Sequence, residues 1–372
     1  MRIALVAPPF IPVPPRRYGG TELFIAHLAH GLHRLGHDVI VYANGESRLR
    51  CEVRSLYPRG EWPVRSDINT NLKDLNHTAW ACADAAGCVD IIHLNNSPGL
   101  AFSRLLAEPI VYTIHHAKEQ ALSDFYACYP DVTYVTISRF QRTLETMPKM
   151  LPIHHGLDLD RYPLVERKQP YLSFLGRIAP VKAPHLAIEV ARRAGIPLKI
   201  AGEVQPLYRD YWEAMVKPEV DGDFIEFVGE ADHATKVELL GNSQAMLFPI
   251  QWNEPFGLVM IEAMACGTPV VALPGGSVPE VVSDGVSGWV CRDVEEMATR
   301  ARDLRITAAS CRQHVAENFS LDLMVRRYEA VYKVAIAERQ ALRRPAPRSA
   351  RQAQPEVVDR PIVPVTDTLP VQ

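Results

Sequence analysis

Residues 1–42 read MRIALVAPPFIPVPPRRYGGTELFIAHLAHGLHRLGHDVIVY, and their pattern predicts a strand, a helix and a second strand. Residues 3–7 are all apolar, which is typical of a parallel strand that is buried on both faces. Apolar side chains then recur at helical spacing over residues 21–35, Gly36 follows as a stop signal, and residues 38–42 form the next apolar run. The stretch therefore predicts one β-α-β unit, from which parallel sheets are built.

The same alternation continues along the chain and restarts after a polar, proline-rich interval at residues 151–170. Further strands are predicted at 89–94, 110–114, 132–137, 171–175, 198–201, 225–228, 245–249 and 269–273, with helices at 185–194 and 321–343. This repetition predicts an α/β protein with two Rossmann-like parallel-sheet domains that face each other across a cleft. We assign residues 1–155 to the first domain and 156–321 to the second, and we expect the proline-rich residues 345–372 to be a disordered tail.

Composition restricts the class of protein. A chain of 372 residues exceeds the usual size of one hydrophobic core, and a net charge of -3 does not suggest a nucleic-acid partner. The seven cysteines form no Cys-x-x-Cys pair, and no histidine cluster has metal-ligand spacing. No apolar run reaches the ~18 residues of a membrane span, and no signal-peptide layout is present, so a cytoplasmic protein with reduced thiols is expected.

The most informative segment, EPFGLVMIEAMACGTPVV, begins at Glu254 and holds two glutamates eight residues apart. Gly257 permits a tight turn into a helix whose first amides, those of Leu258 and Val259, are free to bind phosphate oxygens. Carboxylates accept hydrogen bonds from paired hydroxyls, such as those of a sugar ring and a ribose. Isolated glutamates are usually solvated surface charges, but this setting predicts that Glu254 and Glu262 bind two parts of a nucleotide-sugar.

A second segment, GRIAPVK, begins at Gly176 directly after a predicted strand. Arg177 and Lys182 lie where open α/β sheets bind ligands, and they could neutralise a diphosphate. Taken alone, two such cations are more often solvated charges. Gly19 and Gly20 form a third element, because they let a ligand approach the backbone just before a helix, although simple turn glycines fit equally well.

Several other residues are candidate ligands. The first strand is not followed by a Gly-x-Gly-x-x-Gly fingerprint, which argues against a nicotinamide enzyme. His115 follows a predicted strand and can bond a sugar hydroxyl, although a lone histidine is more often structural. Histidines 27, 30 and 33 fit a polar helix face. The acidic pairs at 158 and 160 and at 221 and 223 fit loops and turns better than metal sites.

With these motifs in place, the chain resembles the retaining family 4 glycosyltransferases of GT-B architecture over residues 1–343. Glu254 and Glu262 match the family's Glu-x7-Glu motif, Arg177 and Lys182 match its Gly-Arg and lysine, and residues 19–22 match its Gly-Gly-x-Glu loop. The resemblance also implies that a last helix, residues 322–343, returns to the first domain.

The resemblance implies a role for each matched residue. Glu254 would contact donor-sugar hydroxyls, Glu262 the ribose, Arg177 and Lys182 the diphosphate, and His115 a hydroxyl near the reacting carbon. The catalytic set would be Glu254, His115, Arg177 and Lys182. The donor-binding set would be Gly19, Gly20, Arg177, Lys182, Glu254, Phe256, Gly257, Leu258, Val259 and Glu262. The reaction would retain the anomeric configuration and need neither metal nor cofactor beyond the nucleotide-sugar donor.

Three positions depart from the family pattern. His116 stands where many relatives carry aspartate, residues 154–156 read His-His-Gly where asparagine-glycine is usual, and Ala183 stands where glycine commonly follows the lysine. These changes weaken inference about the acceptor more than about the donor.

Two other classes of function remain open. A GT-B epimerase or phosphorylase would share the scaffold, and a non-catalytic protein that binds nucleotide-sugars would share the binding residues. The base, the sugar and the hydroxyl acceptor, whether saccharide, lipid-linked or small molecule, leave no sequence signature. Arg139, Phe140, Arg142, Leu144 and Lys149 could form a helix at an anionic membrane, but a solvated amphipathic helix is favoured.

Overall fold

The computed structural model describes residues 1–16, 19–62 and 67–343, which form two parallel sheets. In these residues the first sheet has seven strands in the order β3-β2-β1-β4-β5-β6-β7, and the second has six in the order β10-β9-β8-β11-β12-β13. The strands are β1 (Arg2–Val6), β2 (Asp38–Tyr42), β3 (Glu52–Arg54), β4 (Ile91–Leu94), β5 (Ile110–Ile114), β6 (Thr133–Thr136), β7 (Met150–Pro152), β8 (Leu172–Leu175), β9 (Leu198–Ala201), β10 (Ile225–Gly229), β11 (Ala245–Phe248), β12 (Val270–Ala272) and β13 (Gly288–Val290).

Helices connect the strands, as parallel pairing requires. They are α1 (Gly20–Arg34), α2 (Ile68–Ala85), α3 (Gln120–Ala127), α4 (Arg139–Leu144), α5 (Pro184–Ala194), α6 (Arg209–Tyr211), α7 (His233–Asn242), α8 (Leu258–Ala265), α9 (Val278–Val281), α10 (Val294–Arg302), α11 (Ala308–Asn318) and α12 (Leu321–Arg343). Both sheets are covered by helices, so their central strands are buried on both faces. The predicted fold class, two Rossmann-like parallel-sheet domains, is confirmed.

The last helix, α12, packs on the first sheet although it follows the second in sequence. Val325 of α12 lies so close to Gly31 of α1 that a Cβ at this glycine would be 2.2 Å from a Val325 methyl carbon. Tyr332 of α12 also hydrogen-bonds the buried His93 of β4 at 2.7 Å. Its apolar face thereby completes the core between α1 and the first sheet.

Three short edge strands, β3, β7 and β13, were not predicted. Each has three residues, too few to show an alternating or continuous apolar pattern. β7 overlaps the start of the interval that was predicted to be a polar connection, and it pairs with β6. The amphipathic helix expected around residues 139–149 is shorter than predicted, because α4 ends at Leu144 and Lys149 lies beyond it in an ion pair with Glu338. The predicted tail at 345–372 lies outside the described residues.

Candidate active site

The turn that leads into α8 forms the centre of the site. Gly257 precedes the helix with φ +78°, a left-handed conformation that glycine adopts without steric cost. The amide of Met260 donates to the Gly257 carbonyl, whereas the amides of Leu258 and Val259 donate to no backbone carbonyl within the described ranges. Two unpaired amides at a helix N-terminus can bind an anion.

Glu254 lies just before this turn and is buried, with 6% of its surface exposed. Its Oε2 accepts hydrogen bonds from the Lys182 ammonium and from the Trp252 indole, the latter at 2.8 Å. The same ammonium lies 4.8 Å from the Trp252 ring centroid. No described group donates to Oε1, and this oxygen is not fully enclosed. The carboxylate therefore keeps one oxygen for a ligand.

Glu262 lies on α8 and is likewise buried, with 2% exposed. Its Oε1 accepts hydrogen bonds from the Tyr162 hydroxyl at 2.9 Å and from the Lys236 ammonium. Both glutamates are thus paired with a lysine. This geometry differs from the solvated surface charges that isolated glutamates usually are.

A glycine turn after β12 packs against the Glu254 loop and hydrogen-bonds it. The Ser277 amide donates to the Glu254 carbonyl and its hydroxyl to the Phe256 carbonyl, each at 2.9 Å. Gly276 has φ +59°, and a Cβ there would lie 2.2 Å from the Glu254 carbonyl oxygen. The close approach of the two loops therefore requires glycine at this position.

Arg177 and Lys182 lie on the connection between β8 and α5. Arg177 is partly exposed and forms no ion pair with any described residue. Ala183, directly after Lys182, is buried and has φ +53°, the one positive φ among non-glycine residues in the described part of the chain. This conformation explains why a glycine would fit here, and it places Lys182 beside Glu254.

His115 lies at the carboxyl end of β5, on the first sheet. Its Nε2 lies 2.9 Å from Asn95 Oδ1, and the Asn95 amide nitrogen donates to the Val6 carbonyl at 3.1 Å. Since this orients the Asn95 oxygen toward the histidine, Nε2 carries the proton and Nδ1 is an acceptor. Burial and the neighbouring histidines hold the pKa of His115 well below its usual value, so the imidazole is neutral.

Rings from both halves of the chain meet beside His115. The His155 ring stacks on the His115 ring with centroids 6.0 Å apart and an interplanar angle of 3°. His155 also contacts the rings of Phe24 and Phe256. Phe24 belongs to α1 and Phe256 to the Glu254 loop. This aromatic contact joins the two sheets at the site.

The glycines of the predicted N-terminal loop lie next to the donor-side turn. Gly19 has φ +143° and precedes α1, and a Cβ at Gly20 would lie 3.7 Å from Leu258 Cδ1. Glu22, in the first turn of α1, is buried, and burial raises its pKa to about 7.

One of the three histidines predicted on a polar helix face differs from that prediction. His27 does not lie on a polar face, because it is only 6% exposed, and burial lowers its pKa to about 4. The acidic pairs do act in turns: Asp158 accepts the amide of Asp160, and Asp221 Oδ1 accepts three amides that follow it. In the described ranges no group of three His, Cys, Asp or Glu side chains is arranged to hold a metal ion.

The structure therefore brings Lys182, Glu254 and the α8 amides together, and it places Glu262 on the same helix. Sequence reasoning missed four contributors: Tyr162, Lys236, Trp252 and Glu280. Glu280 Oε2 and Oε1 accept the amides of Arg139 and Phe140, at 2.9 and 3.1 Å, which links the second sheet's α9 to the first sheet's α4. The PGGS sequence at 274–277 was the one available signal for the supporting turn.

Comparison with known proteins agrees with this geometry. Residues 159–313 match the family described as Glycosyl transferases group 1, and residues 18–151 match Glycosyltransferase Family 4. A D-inositol 3-phosphate glycosyltransferase from Frankia alni is 34% identical over 339 residues, which cover 73% of this chain and 81% of that protein. The chain belongs to the family 4 glycosyltransferases.

Solved structures show that this glycosyltransferase has the GT-B fold. Sucrose-phosphate synthase from Thermosynechococcus elongatus superposes with a TM-score of 0.75 at 20% identity, covering 91% of this chain and 99% of that one. HepE from Anabaena, in complex with UDP and glucose, gives a TM-score of 0.69 at 18% identity, covering 90% and 100%. In the described residues of the glycosyltransferase, no helix combines the length and apolar composition needed to cross a bilayer.

Proposed function

We propose that this glycosyltransferase moves a sugar from a nucleoside diphosphate sugar to a hydroxyl acceptor with retention of the anomeric configuration. One observation carries the proposal. Two buried glutamates, each with one oxygen left open, flank a helix N-terminus that also has Lys182 beside it. Carboxylates suit sugar and ribose hydroxyls, whereas cations and unpaired amides suit the diphosphate between them.

The chemistry needs charge neutralisation more than an enzyme base. The bond between the sugar's anomeric carbon and the diphosphate oxygen breaks, and the acceptor oxygen bonds that carbon on the same face. The acceptor proton passes to the departing diphosphate. Arg177, Lys182 and the α8 amides would stabilise the charge on that leaving group, so we propose that the reaction needs no metal.

Lys182 has to serve two partners in this scheme. In the structure its ammonium bonds Glu254 Oε2 and lies over the Trp252 ring. A diphosphate at the α8 N-terminus would compete for the same ammonium, while the Trp252 indole continues to hold Glu254. The Nδ1 atom of neutral His115 would accept a hydrogen bond from a sugar hydroxyl.

Related proteins support the donor class. HepE was solved with UDP and glucose in the same fold, and the Frankia relative is named a D-inositol 3-phosphate glycosyltransferase. We propose a nucleotide-sugar donor on these grounds and leave saccharide, lipid-linked and small-molecule acceptors as classes to screen. A reducing compartment such as the cytoplasm suits the seven free cysteines.

The proposal is tested by nucleotide binding. UDP, GDP and ADP are added separately to the wild type and to the Arg177→Ala/Lys182→Ala variant, and thermal stability is measured. We expect one nucleotide to raise the wild-type melting temperature by several degrees and to have little effect on the variant. Lys199→Ala is the matched control, because Lys199 forms an exposed ion pair with Glu226 away from the turn.

The outcomes separate the alternative functions. Absence of binding by the folded wild type to all three nucleotides would overturn the donor site. Binding followed by conversion of the donor sugar without any acceptor would indicate an epimerase, and a need for inorganic phosphate a phosphorylase. Tight binding without release of nucleoside diphosphate under any acceptor would indicate a non-catalytic binding protein.

A further inference from the structure

The two hydrogen bonds on Glu262 fall on the same oxygen. Tyr162 and Lys236 both donate to Oε1, and no described group donates to Oε2. Oε2 is still accessible, because it is not one of the fully buried side-chain atoms that lack a hydrogen-bond partner. A carboxylate held in this way has one fixed orientation and presents the two lone pairs of a single oxygen.

Tyr162 is held rigidly where it meets Glu262. It is 1% exposed and follows the short helical turn Leu159–Arg161 in the connection between the sheets. The Arg312 guanidinium of α11 bonds the carbonyls of Tyr162 and Leu159, and also that of Ala265 at the end of α8, at 2.7 Å. One side chain therefore ties the Tyr162 turn to the helix that carries Glu262.

The hydroxyl of Tyr162 stays a donor over the whole working range of pH. Burial and the adjacent Glu262 carboxylate raise the pKa of Tyr162 well above its ordinary value. Lys236 of α7 supplies the opposite charge that a buried carboxylate requires, and its ammonium lies 6.0 Å from the Tyr162 ring centroid. Tyr162 thus fixes the orientation of the Glu262 carboxylate, and Lys236 balances its charge.

We propose that Tyr162 and Lys236 are positioning residues that hold Glu262 with Oε2 directed to the vicinal hydroxyls of the donor's ribose. The proposal rests on the function proposed above, because it assumes a nucleotide donor. It adds that recognition of the ribose depends on two residues that do not touch the donor. Since Lys236 alone would fix the orientation of Glu262 less firmly than the two donors together, loss of Tyr162 should reduce preference for a ribose over a deoxyribose.

The experiment compares ribonucleotides with their 2′-deoxy counterparts. Dissociation constants of UDP, GDP and ADP and of the three 2′-deoxy forms are measured by calorimetry on the wild type and on Tyr162→Phe, which keeps the buried ring. We expect the nucleotide that binds the wild type to be preferred over its deoxy form about tenfold, equivalent to one good hydrogen bond. Tyr162→Phe should reduce this preference to about threefold or less, because the affinity for the deoxy form, which keeps only the 3′-hydroxyl, should fall less than that for the ribonucleotide.

Two further variants keep the result interpretable. Tyr171→Phe removes another buried tyrosine hydroxyl in the same domain, one that donates to the Leu239 carbonyl at 2.9 Å, and should leave the preference intact. Lys236→Gln should reduce the preference as Tyr162→Phe does, provided that it folds.

Each other outcome counts against the proposal. A Tyr162→Phe enzyme that retains the full ribose preference overturns it, as does parallel weakening of both nucleotides, which indicates a structural role alone. A wild type that binds nucleotide without any ribose preference overturns it while leaving the proposed function in place. A wild type that binds no nucleotide removes the proposed function itself.

Discussion

The carboxyl ends of the two sheets face the same site but carry different chemistry. On the second sheet, Glu254 and Glu262 are buried as ion pairs with Lys182 and Lys236. On the first sheet, burial favours the neutral form of two polar side chains: His115 has a pKa well below its usual value, and the pKa of Glu22 is raised to about 7.

This difference indicates that the two edges suit different chemical groups of the substrates. A charged edge suits a diphosphate and the charge that develops when it departs, whereas a neutral edge suits hydroxyl groups. The same difference explains why the second sheet is easier to interpret from sequence, since paired charges near a glycine turn are distinctive and buried neutral histidines are not.

Lys182→Ala tests the charged edge and should have the largest effect. We expect turnover to fall at least ~100-fold, because one electrostatic contact to the leaving group is lost. The measurement is release of nucleoside diphosphate from the donor at saturation, with Lys199→Ala as the control of equal charge change. Wild-type turnover in Lys182→Ala would show that the charged edge does not act on the leaving group.

Glu22→Gln tests the neutral edge through stability. Between pH 4.5 and about 7 the folded chain keeps a proton on Glu22 that the unfolded chain releases, so this contribution is present below pH 4.5 and is lost as the pH rises to about 7. Glutamine has no such loss. Relative to the wild type, the variant should gain up to about 3 kcal/mol in unfolding free energy from pH 4.5 to pH 8.

The check for Glu22 is chemical denaturation of both proteins across this pH range. The difference between them cancels the contribution of the buried histidines, which both share. Glu166→Gln, at an exposed glutamate, serves as the control. A difference that does not change with pH would contradict the raised pKa of Glu22.

His115→Ala should have a smaller effect than loss of Lys182. Removal of one neutral hydrogen bond to the donor sugar should lower turnover about tenfold. Because the pKa of His115 lies well below its usual value, this histidine should not titrate between pH 6 and 8. A wild-type inflection in that range that vanishes in His115→Ala would disprove the neutral assignment.

Ala183→Gly should produce the smallest change, and in the stabilising direction. Relief of the left-handed conformation at φ +53° offsets the extra entropy of glycine in the unfolded chain, so a gain of less than about 1 kcal/mol is expected. Ala187→Gly, within α5, should instead lose more than about 1 kcal/mol, because the lower helix propensity of glycine adds to the loss of a buried methyl group. Thermal unfolding of the two variants compares them directly, and destabilisation by both would contradict strain at Ala183.

Most of the fold was predictable because parallel sheets have a simple pattern. The strands at 38–42, 110–114 and 198–201 were predicted with the bounds that the structure has, since buried strands are short apolar runs between helices. The edge strands β3, β7 and β13 were missed, because three-residue strands depend on pairing with a neighbour and carry little pattern of their own.

The candidate site was predictable to the extent that its residues are close in sequence. Glu254, Gly257 and Glu262 share one segment, so a turn and a helix suffice to relate them. Trp252 lies in a nearby loop and Glu280 in α9, but their partners could not be predicted because the contacts depend on how these segments pack. His27 was assigned to a polar face because helical spacing alone does not show what covers that face.

The sequence by itself determined the order of strands and helices, the glycine turn before α8 and the residues available to bind a donor. These features are local, since they follow from side-chain periodicity and backbone preferences over a few residues. Only the tertiary structure decided which oxygen of each glutamate is occupied. Lys182 lies 72 residues from Glu254 in sequence, and Tyr162 lies 100 residues from Glu262. Only the folded structure therefore brings each of these hydrogen-bonding side chains to its carboxylate.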